Sequence, residues 1–393
     1  MASVIKRINE YNKLLPANLK ALKWEAIKES PFRFFRGTCH LFAADFARMY
    51  GFENKVRTWI CGDLHFENFG SYKGENRLVY FDINDFDESI LLTPESELTR
   101  FLSSVIIAGQ QMNAPEKEIY KTLKEIVNTY ANTLLRGKAL MMERELAKGV
   151  LKTYFDQVAL RDRQSFIKKR IIKENATIIL KQDGKHFLSI AGKKKEAIYE
   201  GIKPLLSQNR HFADLTLLDA AFRIAGTGSI GLERYCVLCH HKPAGKYYLL
   251  DIKEARRSCY RDVTDIAQPK FKNDANRIIY AEYTMQFNAA NFLSSVRIDN
   301  KWFVVKELQP VIDKLAIENF KNDFPLFKEA ALMMAPLLAY DQLRSSGYSG
   351  SSTADDLMRF AHKQQWQADV VELANDLAEL NGKYYKKFLD NEN

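Results

Sequence analysis

Asp63 and Asn68 stand five positions apart in the stretch Cys61-Gly62-Asp63-Leu64-His65-Phe66-Glu67-Asn68-Phe69-Gly70. A second acidic cluster follows in Tyr80-Phe81-Asp82-Ile83-Asn84-Asp85-Phe86-Asp87. These residue types suit phosphoryl transfer: a carboxylate orients or deprotonates a hydroxyl, while an Asn and a carboxylate hold Mg²⁺ against phosphate oxygens. Asp63 is the expected catalytic base and Asn68 a metal ligand. His65 completes the catalytic loop, bracing it by hydrogen bonding rather than moving protons. The apolar strand Leu78-Val79-Tyr80-Phe81 ends in several carboxylates, whose mutual repulsion calls for a counter-ion. A divalent cation would supply it. Asp82 or Asp85 is then the main ligand, and the sequence leaves both open. Taken singly, each loop also fits Asx turns or a solvated acidic turn; together they point to a site.

A nucleotide would need further contacts. Gly226-Thr227-Gly228-Ser229-Ile230-Gly231 fits GxGxxG, a pattern shared with dinucleotide folds and ordinary turns. The residues after it, Leu232 to Leu238, read as a strand rather than the helix that a dinucleotide fold wants. A glycine loop between two strands is the arrangement that covers ATP phosphates in kinases. The backbone from Gly226 to Gly231, with Gly228 and Ser229 between, is therefore expected to cover phosphates. Lys253 ends a later strand and is expected to pair with them. Glu282, on the next helix, is its expected partner, with Glu254 as rival. In Ser30-Pro31-Phe32-Arg33-Phe34-Phe35-Arg36-Gly37 the aromatics read as core, and Arg36 has the guanidinium to reach phosphates or the acidic cluster. Cys236-Val237-Leu238-Cys239-His240 spells a haem-attachment motif, but strand alternation points the two cysteines to opposite faces, and no second pair completes a zinc site.

The elements that must position these residues follow from periodicity. Helices are expected over Leu19–Lys28 and Gly37–Met49. A strand over Val56–Cys61 leads into the Asp63 loop, and Phe69–Tyr72 with Leu78–Ile83 form a hairpin. Glu95 to Leu217 is mostly helical, with strand-like Thr177–Ile190 inside it. A strand, glycine loop and strand span Ala221–Leu238, followed by a strand over Lys246–Ile252 and a helix over Asn273–Ala290. A hairpin spans Phe292–Ile298 and Trp302–Leu308, and helices run on after Pro310.

Composition sets outer bounds. The chain has 393 residues, 46% apolar and 27% charged, enough for a large core. The net charge of +9 reads first as a solvated basic surface and otherwise as attraction for an anionic ligand such as a nucleotide or an acidic partner; no recognised nucleic-acid reading motif is present, which argues against that partner. The N-terminus turns polar at once and no apolar run approaches the roughly 18 residues of a membrane span. The five cysteines are thus expected to be reduced, in a cytoplasmic protein without membrane association.

The stretch Cys61 to Asn68 resembles the GDLHxxN catalytic loop of aminoglycoside and choline phosphotransferases within the protein-kinase-like superfamily, and Phe81 to Asp85 resembles their IDxxD metal motif. SPFRFFRG, CGDLHFENFG and FDINDFDE together resemble, over most of the chain, an uncharacterised bacterial family assigned to that superfamily. The resemblance implies an α+β, two-lobed protein-kinase-like fold. The catalytic loop precedes the glycine loop, so the order is circularly permuted. Residues 1–220 would form a helical catalytic lobe, 221–310 the β-rich nucleotide-covering lobe, and 311–393 helices returning to the first. The implied function is an ATP- and Mg²⁺-dependent phosphotransferase acting on a hydroxyl of a small-molecule or protein acceptor. A nucleotide-binding regulator without turnover and a nucleotidyl transferase or hydrolase using the same acids are the alternatives.

Overall fold

The computed structural model describes residues 3–175, 177–208, 212–224, 231–310 and 313–390. It mixes helix and sheet, as the α+β expectation required. Four helices open it: α1 (Val4–Tyr11), α2 (Ala17–Lys28), α3 (Pro31–Gly37) and α4 (Cys39–Met49). Ser30 caps α3, its hydroxyl accepting from Arg33 N at 3.1 Å, and Pro31 fills the first turn, where no amide donor is needed.

Four short strands carry the chemistry-bearing loops: β1 (Thr58–Ile60), β2 (Phe69–Lys73), β3 (Val79–Ile83) and β4 (Ile90–Leu92). β1 pairs with β4 and β2 with β3, both antiparallel. The helices α5 (Pro94–Gln111) and α6 (Glu116–Leu135) follow, then α7 (Gly149–Ala159) and α8 (Arg163–Lys168). The mostly helical reading of Glu95 to Leu217 is interrupted by β5 (Ile171–Glu174), β6 (Thr177–Leu180) and β7 (Phe187–Leu188) before α9 (Gly192–Gln208). β8 (Leu215–Arg223) starts earlier than the strand expected from Ala221.

β9 (Arg234–His241), β10 (Lys246–Glu254), β11 (Ser294–Ile298) and β12 (Lys301–Glu307) complete the larger sheet, with α10 (Asp274–Met285) between β10 and β11. Its order is β11-β12-β10-β9-β8-β7, antiparallel throughout. Apolar side chains pack on both faces. Cys239 sits in the cluster on the α9 side and Cys236 in the opposite one, so the two thiols face apart as strand alternation demands. All five cysteines are free and buried.

The chain then returns to the first strands, where β13 (Asp313–Lys314) pairs with β2. It ends in α11 (Phe324–Arg344), α12 (Ala354–His362) and α13 (Gln365–Asp390). The largest apolar cluster joins α5, α6, α11 and α13 to the Phe side chains of the Asp63 loop. No described helix is long and apolar enough to cross a membrane.

Candidate active site

The Asp63 loop is built from α5. After β1 the chain turns at Gly62, whose φ is +85°, and a Cβ there would lie 2.2 Å from Glu88 O. Only glycine fits that turn and that contact. Three α5 residues at helical spacing then hold the loop. Glu97 accepts from Cys61 N at 2.5 Å and Gly62 N at 3.3 Å. Arg100 Nε donates to Asp63 Oδ1 at 2.8 Å, and a second guanidinium nitrogen reaches the same oxygen. Ser104 Oγ accepts from Phe66 N at 3.0 Å. Both Arg100 contacts fall on Oδ1, which leaves Oδ2 of Asp63 to the cleft.

Burial raises the Asp63 pKa above the usual carboxylate range, and Arg100 offsets only part of that rise. Arg100 is fully buried and lies 4.1 Å from the Phe35 ring centre, so the aromatics expected to be core also shelter this cation.

Glu97 is a buried acid whose pKa is pushed up to about 7 from an ordinary 4.5; burial is the larger cause, and the bonds from Cys61 oppose it. The folded chain therefore holds a proton there that the unfolded chain releases. This contribution to stability is full below about pH 4.5 and lost as pH rises through about 7. The interval corresponds to about 3 kcal/mol. Glu97→Gln is expected to flatten the fall in unfolding free energy between about pH 5 and pH 8. Urea unfolding at both pH values checks it, and an unchanged slope would contradict it.

Asn68 ties the two loops together. Its Nδ2 donates to Asp63 O and Asp85 O, each at 3.2 Å, and its Oδ1 accepts from Asp85 N at 2.9 Å. The oxygen expected to ligate a metal is thus engaged by the backbone of the acidic loop. His65 braces the loop as expected: Arg36 Nε donates to its Nε2 at 3.1 Å. Burial, then Arg36 and Arg100, hold the His65 pKa well below its usual value, so the ring is neutral. Arg36 also pairs with buried Glu67, which takes Lys314 as well. Its Nε and Nη1 brace the loop, and its charge also acts on Asp63.

The acids of the second cluster separate. Asp82 lies within β3 and is buried; Arg344 donates to its Oδ2 at 2.7 Å and also pairs with Asp341. Asp85 and Asp87 lie beyond the strand end and line a cleft of about 490 Å³ with Asp63. Of the two possible ligands, Asp85 lines the cleft, whereas Asp82 is buried and does not.

Lys253 comes from β10 to meet the cleft acids, its Nζ 2.9 Å from Asp85 Oδ2 and 2.5 Å from Asp87 Oδ2. Burial works against Asp85 ionising, but Lys253, together with Lys306 and the Asp87 amide, outweighs it and lowers the Asp85 pKa; Asp87, disfavoured by burial and by Asp85, is raised. The expected Lys253–Glu282 pair is not formed. Glu282 pairs instead with Lys306, at 2.5 Å, on the neighbouring strand β12. Its rival Glu254 bonds Arg256 and accepts from Glu233 N at 2.9 Å. The non-local register that sets Lys306 opposite Asp251 brings this lysine to α10.

The glycine-loop residues Gly226, Gly228 and Ser229 lie outside the described residues. Strands β8 and β9 flank the loop as expected. Gly231 closes it with φ +106°, and a Cβ there would lie 2.5 Å from Leu15. The opening helices therefore reach the cleft, a contribution that sequence reading missed. Tyr11, Asn12 and Lys23 line it with Asp63. Lys23 is buried, donates to Asn12 Oδ1 at 3.0 Å, and has a pKa lowered to about 8, chiefly by burial.

A divalent cation fits this chemistry in one way. Among the described residues no group of three or more His, Cys, Asp or Glu side chains comes together as a closed metal cage. Mg²⁺ is ordinarily held by one or two carboxylates, with phosphate and water oxygens completing its octahedron. The Asp85 and Asp87 oxygens, already converging on a cation, are such a pair.

No curated protein and no solved structure matches the chain. The model of the family described as an uncharacterised protein conserved in bacteria (DUF2252) matches residues 15–391, and the chain belongs to that family.

Proposed function

We propose that this chain is an ATP- and Mg²⁺-dependent phosphotransferase acting on a hydroxyl. The observation that carries the reading is one cleft: it contains Asp63 with an uncommitted oxygen, and the Asp85–Asp87 pair joined to Lys253 from the larger sheet. The strand succession supports it. Two strands flank a glycine loop, the next carries Lys253, and a helix carrying Glu282 follows before the last two strands. Kinases place their glycine loop, lysine and helix glutamate in that succession.

On this reading Asp63 Oδ2 orients the acceptor hydroxyl and draws its proton. Arg100 fixes the carboxylate and favours its charged form against burial. Lys253 balances phosphate charge. Asp85 and Asp87 would hold Mg²⁺, which supplies neutralisation of the phosphate oxygens. His65, Asn68 and Arg36 position the loop without touching the reacting atoms.

One observation favours the second reading, a nucleotide-binding regulator. Lys253 is held by two carboxylates and Glu282 by Lys306, so the lysine–glutamate pair that active kinases require is not made. Product analysis separates the readings. The protein incubated with ATP, Mg²⁺ and a panel of hydroxyl compounds is expected to form ADP, with Lys253→Met slower by about a hundredfold. AMP with pyrophosphate would assign nucleotidyl transfer instead. Intact but bound ATP would assign the regulator.

A further inference from the structure

A second cavity, of about 440 Å³, lies beside the cleft and shares Arg257 with it. Its lining includes four cationic side chains, Arg257, Arg261, Lys270 and Arg277, against one acid, Asp274. Two of the cations are already committed. Arg257 pairs with Asp262 at 2.8 Å. Arg277 bonds Asp274 and the backbone oxygens of Asp87, Ser89 and Arg256. Arg261 and Lys270 are exposed and make no ion pair among the described residues. Asn273, on the same wall, keeps its Nδ2 buried and without a hydrogen-bond partner. Two unpaired cations at the mouth of one cavity suit an anion.

The rest of the wall is not polar. Half-buried Phe271 lines the same cavity, backed by the fully buried Trp59 in an edge-on contact with ring centres 5.9 Å apart. An apolar or aromatic body would gain from that surface while its anionic end meets the cations. Several donors, Arg among them, suit the multiple oxygens of a phosphate better than the two of a carboxylate.

We propose that this cavity binds an organic phosphate monoester with an aromatic or apolar body. The site does not depend on the reaction carried out in the cleft. Arg277 joins it to the acidic loop through the Asp87 carbonyl, so a bound ligand rests against the segment that carries Asp85 and Asp87.

Calorimetric titration with phenyl phosphate tests the site, with inorganic phosphate and benzoate as companion probes. Arg261→Ala/Lys270→Ala alters exposed side chains and leaves the core untouched. Phenyl phosphate is expected to bind the native chain, at least tenfold more weakly to the double variant, and unchanged to Lys253→Ala. No binding at millimolar phenyl phosphate, or equal binding to the double variant, would overturn the site. Loss of binding in Lys253→Ala would place the probe in the cleft and overturn it too. Benzoate binding as tightly would overturn the phosphate assignment, and inorganic phosphate doing so would overturn the apolar one.

Discussion

Asp63→Asn is expected to lower ATP-dependent transfer by about 10²- to 10⁴-fold while ATP affinity changes little. The substitution keeps the shape of the side chain and removes the charge that draws the hydroxyl proton. It also leaves Arg100 fully buried without its counter-ion. Breaking a buried pair from one side costs about 3–5 kcal/mol, so the variant should melt at lower temperature. Asp63→Asn/Arg100→Met removes both charges and should recover much of the stability without recovering turnover. That separation distinguishes a catalytic carboxylate from a structural one. Turnover by Asp63→Asn within tenfold of the native rate would remove Asp63 from the chemistry.

Arg344→Met should produce a comparably large loss of stability. Arg344 joins Asp82 of β3 to Asp341 of its own helix, and its other nitrogens reach Met285 O and Leu140 O. Without it two buried carboxyl groups face each other with no cation, a loss of about 3–5 kcal/mol. The pH dependence has a definite sign. Burial raises the pKa of both acids, and for Asp341 the nearby Asp82 adds to the rise, while Arg344 opposes it in both. A carboxyl raised in the folded state stabilises while protonated and loses that contribution as pH rises. The variant should therefore be closer to the native chain at about pH 5 than at about pH 8, as read by denaturant unfolding. A loss below about 1 kcal/mol at both pH values would show that the Asp82 cluster does not hold α11 to β3.

The acids of the cleft stood out in the sequence because each of their loops is short and local. Asp63 and Asn68 share one turn, and the glycine that makes the turn adjoins them. Local sequence could not name their partners. Arg100 and Glu97 lie on α5, whose apolar stripe of Leu98, Leu102, Val105 and Ile106 marks it as a core helix; charged residues are seldom wholly buried, so nothing marked these two. The choice between Asp82 and Asp85 held a readable signal. Asp82 falls within the strand period of β3, Asp85 beyond its end, and only a residue past the end is released from the sheet. What meets Asp82 arrives from α11, too distant in sequence for any local pattern. The same limit explains Glu282, whose partner was set by pairing between β10 and β12. The opening helices were read as amphipathic packing elements, and only the folded chain shows Lys23 and Leu15 at the cleft.

The most direct test of the shared-cleft account is a thermal-shift titration with ATP, with and without Mg²⁺, on the native chain and on Asp85→Asn/Asp87→Asn. A single site stabilises by about 2.7 kcal/mol when ligand reaches about 100 times its dissociation constant. Stabilisation that needs Mg²⁺ and disappears in the double variant is the expected result. ATP stabilisation independent of Mg²⁺ and of both carboxylates, or none at millimolar ATP, would contradict it.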